Sequence, residues 1–345
     1  MKNSFGHIKK LGKDHYHVFW SENGNRRSKR IHGDIQAARL YLAQRQLELG
    51  GGPRRLSWSR YWDLAVEPTL DRVSERTAHD YRRVWRKYLE PKIGMGDVGD
   101  TTWRYAEYVL NGIPSPSQAR YAYRLWKKVA NMAVRDGYLR ANPIDRAIKL
   151  PEPRHREKRL VAKEEVLPLL EAAGGFKHSY LIALELGAGL RHEEACAVSS
   201  QKIREEDGYA IVTVNEALTS VGGRAVLKDT KTRFSEREAV VGEPFASYLL
   251  ERLNRIPYSP KGQASPVTIT HNWREWCRRH DMEYIPFGQM RSSYAMLQAE
   301  AGSLDSLVSL AMGHSDGTTK GTNYMRSALP AMKTIADNLA RFLLD

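Results

Sequence analysis

Cysteine is scarce: Cys196 and Cys277 are the only two in 345 residues. Two thiols so far apart give no disulfide framework and no zinc-like pairing, and a reducing cytoplasmic setting fits. Long apolar runs are also missing. None approaches the roughly 18 residues of a spanning helix, and the opening MKNSFGHIKK lacks the apolar core of a secretion signal, so a membrane is not an expected partner. Closely spaced His, Asp and Glu ligand sets are absent, as is a Gly-rich phosphate loop, so the expectation is neither metal nor nucleotide cofactor. Acid is outnumbered: 54 Lys and Arg against 40 Asp and Glu leave a formal net charge of +14. That balance implies an acidic macromolecular partner, with double-stranded DNA the first candidate.

What is present divides into three segments, since 345 residues exceed one ordinary core. Residues 1–50 are strongly basic. Within them HYHVFWSENGNRRSKRIHG alternates apolar and polar residues around ENGN, which predicts two strands and a tight turn. Asp34 then caps a predicted helix through Glu48, stopped by Gly50, Gly51 and Gly52. A small sheet plus one helix carrying Arg26, Arg27, Lys29 and Arg30 reads as a DNA-binding module.

After the linker GGGPRRLS, residues 56–150 read as all helical. Thr77, Tyr81, Val84, Trp85 and Tyr88 recur at helical spacing with Pro91 ending the run, and Tyr121, Leu125, Val129 and Met132 mark a second helix. Arg76, Arg83 and Arg86 lie along one face of the first, and Arg120, Arg124, Lys127 and Lys128 along one face of the second. Such stripes either track a phosphate backbone or simply face water.

A second linker, LPEPRHREKRLV, leads to residues 158–345, read as α+β, mostly helical with one small antiparallel sheet. Helices are predicted in KEEVLPLLEAA and HSYLIALELGAG, strands in YAIVTVNE, RAVLKD and REAVV, and helices again to the C-terminus. The apolar run MKTIADNLARFLLD packs either on its own core or on a neighbouring subunit, the second being preferred.

Four elements of this last segment hold the chemistry-bearing residues. ELGAGLRHEEACAV places Arg191 where a helical pattern breaks and resumes, with Glu194 three residues on. DTKTRFSEREAVV puts Lys231 at a predicted hairpin tip, PFGQMRSSYAMLQAEAG puts Arg291 near a helix start, and GHSDGTTKGTNYMR contains His314 and Tyr324. Singly, each has an ordinary reading: an intrahelical ion pair, a turn lysine, a helix-end histidine, one tyrosine among 17.

In this order and spacing they resemble the tyrosine recombinase (phage integrase) family. That family has a Thr-Gly-Leu-Arg-x-x-Glu motif, matched by GAGLRHEE. Its Thr-Lys-Thr hairpin is matched by DTKTRFSER, its His-x-x-Arg box by GQMRSSYA, and its Gly-His…Tyr motif by GHSDGTTKGTNY. The resemblance implies Arg191, Lys231, Arg291, His314 and the nucleophile Tyr324 as catalytic set, with Glu194 in support. It also implies that residues 1–50 bind arm sites, 56–150 bind core sites and 158–345 catalyse. Two departures stand out. Gly288 occupies the place of the family histidine, and the interval from Gly-His to Tyr is one residue longer than usual.

The implied activity is site-specific recombination that integrates or excises a mobile element through a 3′-phosphotyrosine and a Holliday junction. It would require a homotetramer on two duplexes, with a directionality factor and a DNA-bending protein as further partners. Two guanidinium forks match phosphate bidentately and stay charged. Lys231 suits the general acid for the leaving 5′-oxygen, and His314 a contact to the scissile phosphate. Alternatives are a chromosome or plasmid resolution recombinase, a type IB topoisomerase-like enzyme, and a catalytically silent DNA-binding regulator.

Overall fold

The computed structural model describes residues 6–22, 25–49, 56–144, 148–153, 157–229, 236–314 and 329–345. The chain forms two compact units, Met1–His155 and Arg156–Asp345.

The first unit opens with an antiparallel sheet ordered β1 (Gly6–Gly12), β2 (His15–Glu22), β3 (Asn25–His32), followed by α1 (Ile35–Leu49). The predicted hairpin is β2–β3, in register from His15 opposite His32 to Glu22 opposite Asn25. The additional strand β1 comes from GHIKKLG, whose weak alternation gave no signal. Asp34 caps α1 as expected, its Oδ1 accepting from the Ala37 N–H at 2.8 Å. Period-two alternation sends Val18 and Trp20 into a small core with Ala38 of α1.

A separate core organises the helical part: α2 (Trp58–Tyr61), α3 (Glu75–Val84), α4 (Glu90–Ile93), α5 (Trp103–Asn111) and α6 (Pro116–Arg135). Aromatics dominate it. Trp62 and Trp85 stack at 4.6 Å, and the Trp58 indole N–H donates to Thr101 Oγ1 at 2.8 Å. Pro91 does not end the helical run. A five-residue π-turn, Trp85–Leu89, precedes it, and proline in the first turn of α4 forfeits no helical N–H bond there.

The second unit is built around α8 (Tyr180–Ala188), every residue of which is buried. A helix apolar on every face but for Glu185 belongs at the centre of a core, and each fully buried Leu or Ile there contributes about 1.5–3 kcal/mol. Around it lie α7 (Lys163–Ala172), α9 (His192–Ala195), α10 (Phe245–Leu250), α11 (Pro266–Arg279), α12 (Phe287–Glu300) and α13 (Asp305–Ala311). Two antiparallel sheets replace the single one expected. One is ordered β4 (Ile203–Glu206), β5 (Tyr209–Val214), β8 (Arg237–Val241); the other pairs β6 (Glu216–Val221) with β7 (Arg224–Asp229).

The last helix, α14 (Leu329–Leu344), corrects an expectation. It packs on its own unit rather than being held out for a neighbour. Met332, Ile335 and Ala336 cover Ile211 and Val240 of the β-sheet, while Leu339 and Leu343 join the main core. Burying that apolar stripe in cis satisfies the hydrophobic demand that had suggested docking elsewhere.

Candidate active site

Gly189 ends α8 in the left-handed region, at φ +65°. A Cβ at that position would come within 2.5 Å of Tyr294 Cδ1, so the tight turn needs glycine for space as well as for conformation. The turn delivers Arg191 to the cap of α9, where Glu194 Oε2 accepts from its backbone N–H at 3.1 Å. Arg191 Nη1 donates to Glu194 Oε1 at 2.7 Å, and Nη2 donates to the Gly313 carbonyl at 3.0 Å.

Arg291 projects from the second turn of α12. Its Nη1 donates to the Gly189 carbonyl, and its Nη2 donates to the Met312 carbonyl at 2.9 Å and to His314 Nε2 at 2.8 Å. Gly313, between those last two partners, also has a left-handed φ of +66°. Each arginine is thus fastened to the turn beside the other. Arg191, Glu194, Arg291 and His314, separated by up to 123 positions in sequence, are brought together by these contacts.

The electrostatics favour anion capture. Burial, then the neighbouring Arg191 charge, lowers the Arg291 guanidinium to about 10, which leaves it charged at neutral pH. Two like charges this close are stable only with a counter-ion, and Glu194 is that group. Burial works against its carboxylate, but Arg237 and then Arg191 hold it below the usual range. Arg237 was not anticipated. Its side chain is buried, donating from Nη2 to Glu194 Oε2 at 3.0 Å and from Nε to the Ala311 carbonyl at 2.8 Å. Its only signal was a charged residue opening an apolar strand, REAVV.

Behind the arginines lies a second unanticipated group. His192 Nδ1 sits 2.7 Å from Glu185 Oε1, its ring stacks on Phe287 at 4.6 Å, and its Nε2 reaches the Pro266 carbonyl at 3.2 Å. Burial opposes its charge, yet hydrogen bonds to Cys196 and Glu185 raise it to about 11. Burial raises the Glu185 carboxyl, while His192 and then Arg291 oppose that rise. His192 adjoins Arg191 and Phe287 precedes Arg291 by one helical turn, so this pair braces both clamp residues from within.

Lys231 and Tyr324 lie outside the described residues. The strands flanking Lys231 in sequence, β7 and β8, belong to different sheets. Gly288 is exposed in the first turn of α12. Among the described residues no three His, Cys, Asp or Glu side chains converge as metal ligands would, and no helix is long and apolar enough to cross a membrane.

The basic residues of the first unit divide. Arg26 and Arg30 stand opposite Ser21 and His17 on the open face of the sheet, and Arg26 lies over the Phe19 ring at 4.7 Å. Arg27 and Lys29 stand opposite Trp20 and Val18, on the face that α1 covers. There Arg27 pairs with Glu22 at 3.6 Å and Lys29 lies over Tyr41 at 4.9 Å. The four basic residues therefore divide between two faces, because alternate strand residues point to opposite sides.

On α6, Arg120, Arg124 and Lys128 are exposed at helical spacing, while Lys127 is half-buried near Tyr123. Arg76 and Arg86 are exposed, and Arg83 donates to Gln118 of α6 at 3.3 Å. Lys128 sits over Tyr81 of α3 at 4.8 Å, so the two stripes adjoin.

The site brings two guanidiniums together beside a histidine, on a mostly helical unit with two small antiparallel sheets. No protein-family model matches the chain. In sequence it is similar to the integrase of Mycobacterium phage D29, 26% identical over 247 residues, covering 66% of this chain and 64% of that protein. The match thus spans just under two thirds of the relative's length. In structure it is similar to the Tn1549 transposon integrase in complex with a circular intermediate DNA, with TM-score 0.64 and 17% identity, covering 81% of this chain and 99% of that one. It is also similar to the lambda integrase tetramer bound to a Holliday junction, with TM-score 0.56 and 16% identity, covering 90% and 96%. The fold is that of these integrases.

Proposed function

We propose that this chain is a tyrosine-type site-specific DNA recombinase, the integrase of a phage or related mobile element. The observation that carries the reading is the convergence of Arg191, Arg291 and His314, with Arg291 Nη2 2.8 Å from His314 Nε2 and both guanidiniums tied to the turns at Gly189 and Gly313. Preorganised cations aimed at one point stabilise the charge that builds on a phosphoryl group in its transition state.

In this mechanism Tyr324 Oη attacks the scissile phosphorus and its proton passes to a base. The new bond is a 3′-phosphotyrosine. The P–O5′ bond breaks, and the leaving oxygen takes a proton from Lys231. One ester replaces another, so no energy source is consumed and the step is reversible. Arg191 and Arg291 hold the non-bridging oxygens, and His314 hydrogen-bonds the same phosphate.

Strand exchange through a Holliday junction requires four copies on two duplexes. Residues 1–50 engage arm sites, 56–150 core sites, and 158–345 carry out the chemistry; a directionality factor and a DNA-bending protein complete the assembly. The likeness to a lambda tetramer on a Holliday junction supports this arrangement.

The test is a nicked suicide duplex incubated with the full chain and resolved by denaturing electrophoresis. A shifted protein–DNA band that vanishes with Tyr324→Phe is expected. Absence of any covalent adduct across pH 6–9, or an adduct that persists in Tyr324→Phe, overturns the assignment.

A further inference from the structure

We infer that Lys158 is a further cation of the phosphate site, serving the side of α12 that Gly288 leaves open. The inference rests on the recombinase reading above and deepens it.

Residues 157–162 run alongside the first turns of α12 and are held there at several points. The Val161 N–H donates to Ser293 Oγ at 2.9 Å, and that fully buried hydroxyl donates in turn to the Gln289 carbonyl at 2.9 Å. Arg159 is pinned by Glu165 and by Glu283, the latter at 2.8 Å. With its neighbours fixed, Lys158 extends across the helix and its Nζ donates to Ser292 Oγ at 3.4 Å.

Ser292 follows Arg291 directly and stands one turn from Gly288, whose carbonyl lies 3.5 Å from its hydroxyl. Positions 288, 291 and 292 share one face of a helix. The ammonium therefore stands beside the opening at Gly288, the position whose other helical neighbour is Arg291. A Cβ built on Gly288 meets nothing within 4 Å, so this face is unobstructed. Among the described residues Lys158 makes no ion pair, whereas Arg159 beside it is matched by two carboxylates. The positive charge of Lys158 is left for an anion, and the anion that the proposed reaction brings to this face is the scissile phosphate. Its role is electrostatic contact with a non-bridging oxygen, with no proton transferred.

The experiment is single-turnover cleavage at saturating enzyme by the full chain. The substrate is a nicked duplex selected by binding from a randomised pool, with affinity measured in parallel by gel shift. Lys158→Ala is expected to slow cleavage roughly tenfold or more while affinity changes less than about threefold, and Lys158→Arg to retain most of the rate. Gly288→His in the Lys158→Ala background should recover rate increasingly as pH falls through about 6.5, where an imidazole gains its charge. A Lys158→Ala rate equal to wild type at saturation overturns the inference alone, as does a loss confined to affinity. A wild-type chain that forms no adduct overturns the recombinase reading and this inference with it.

Discussion

Glu194→Gln removes one charge and almost no volume, which makes it a clean probe of the clamp's counter-ion. In the folded unit the carboxylate accepts from Arg191 Nη1 at 2.7 Å, from the Arg191 N–H at 3.1 Å and from Arg237 Nη2 at 3.0 Å. The two arginines are not equivalent. The Arg191 side chain is 42% exposed and that of Arg237 5%.

The Arg191 share is solvent-screened and worth about 0–1 kcal/mol. The Arg237 share is a buried pair, where removing one partner costs about 3–5 kcal/mol. The amide keeps an acceptor oxygen, so the lower end applies and the loss should be about 3 kcal/mol. At roughly 2–4 °C per kcal/mol for a unit of this size, Tm falls by about 6–12 °C.

Thermal melts of the full chain at pH 7, with Arg237→Met and the double variant, check this. In the Arg237→Met background Glu194→Gln should cost under about 1 kcal/mol, since only the screened pair remains. The pH dependence follows in sign. The folded Glu194 carboxyl lies below its ordinary value of 4.5, so its contribution is full above that pH and is lost as pH falls below it. The deficit of the variant must narrow in acid. A deficit under about 0.5 kcal/mol at pH 7, or one unchanged by Arg237→Met, would refute the reasoning.

Gly189→Ala should destabilise by about 2–4 kcal/mol in the same melts, from left-handed strain plus overpacking against Tyr294. Gly208→Ala, also left-handed but with nothing within 4 Å of the added methyl, should cost only the strain of about 1–2 kcal/mol. Equal losses would show that the Tyr294 contact is immaterial. For DNA binding, Arg26→Ala and Arg30→Ala should each reduce the salt-dependence slope of affinity by about 0.9 in a salt titration. Arg27→Ala and Lys29→Ala should reduce it less, because those side chains stand on the face that α1 covers. Equal slope changes at all four positions would reject the two-faced description.

Local chemistry made much of this readable in advance. Asp34 announced α1 because its carboxylate satisfies an orphan N–H, and the break at Gly189 was visible because only glycine sits comfortably at such a turn. Arg191, Arg291 and His314 were found by motif spacing, and they meet. Strand β1 was not legible, since its Ile8 stands among glycine and lysines and its pairing is decided by β2. Arg237 and the Glu185–His192 pair were equally hidden. Their meaning depends on partners 43 and 7 residues away, which no local pattern encodes. The split of Arg26 and Arg30 from Arg27 and Lys29 was available from alternation alone, once the segment was read as a strand.

The reciprocal fastening of Arg191 to Gly313 and of Arg291 to Gly189 has a mechanical consequence. The two turns cannot be adjusted independently, because Arg191, two residues past Gly189, is held by Gly313, and Arg291 of α12 bridges the Gly189 and Met312 carbonyls. The stretch leading to Tyr324 departs from His314, itself bonded to Arg291. A shift at His314 is therefore carried directly to the Arg291 guanidinium, and from there to the turn at Gly189.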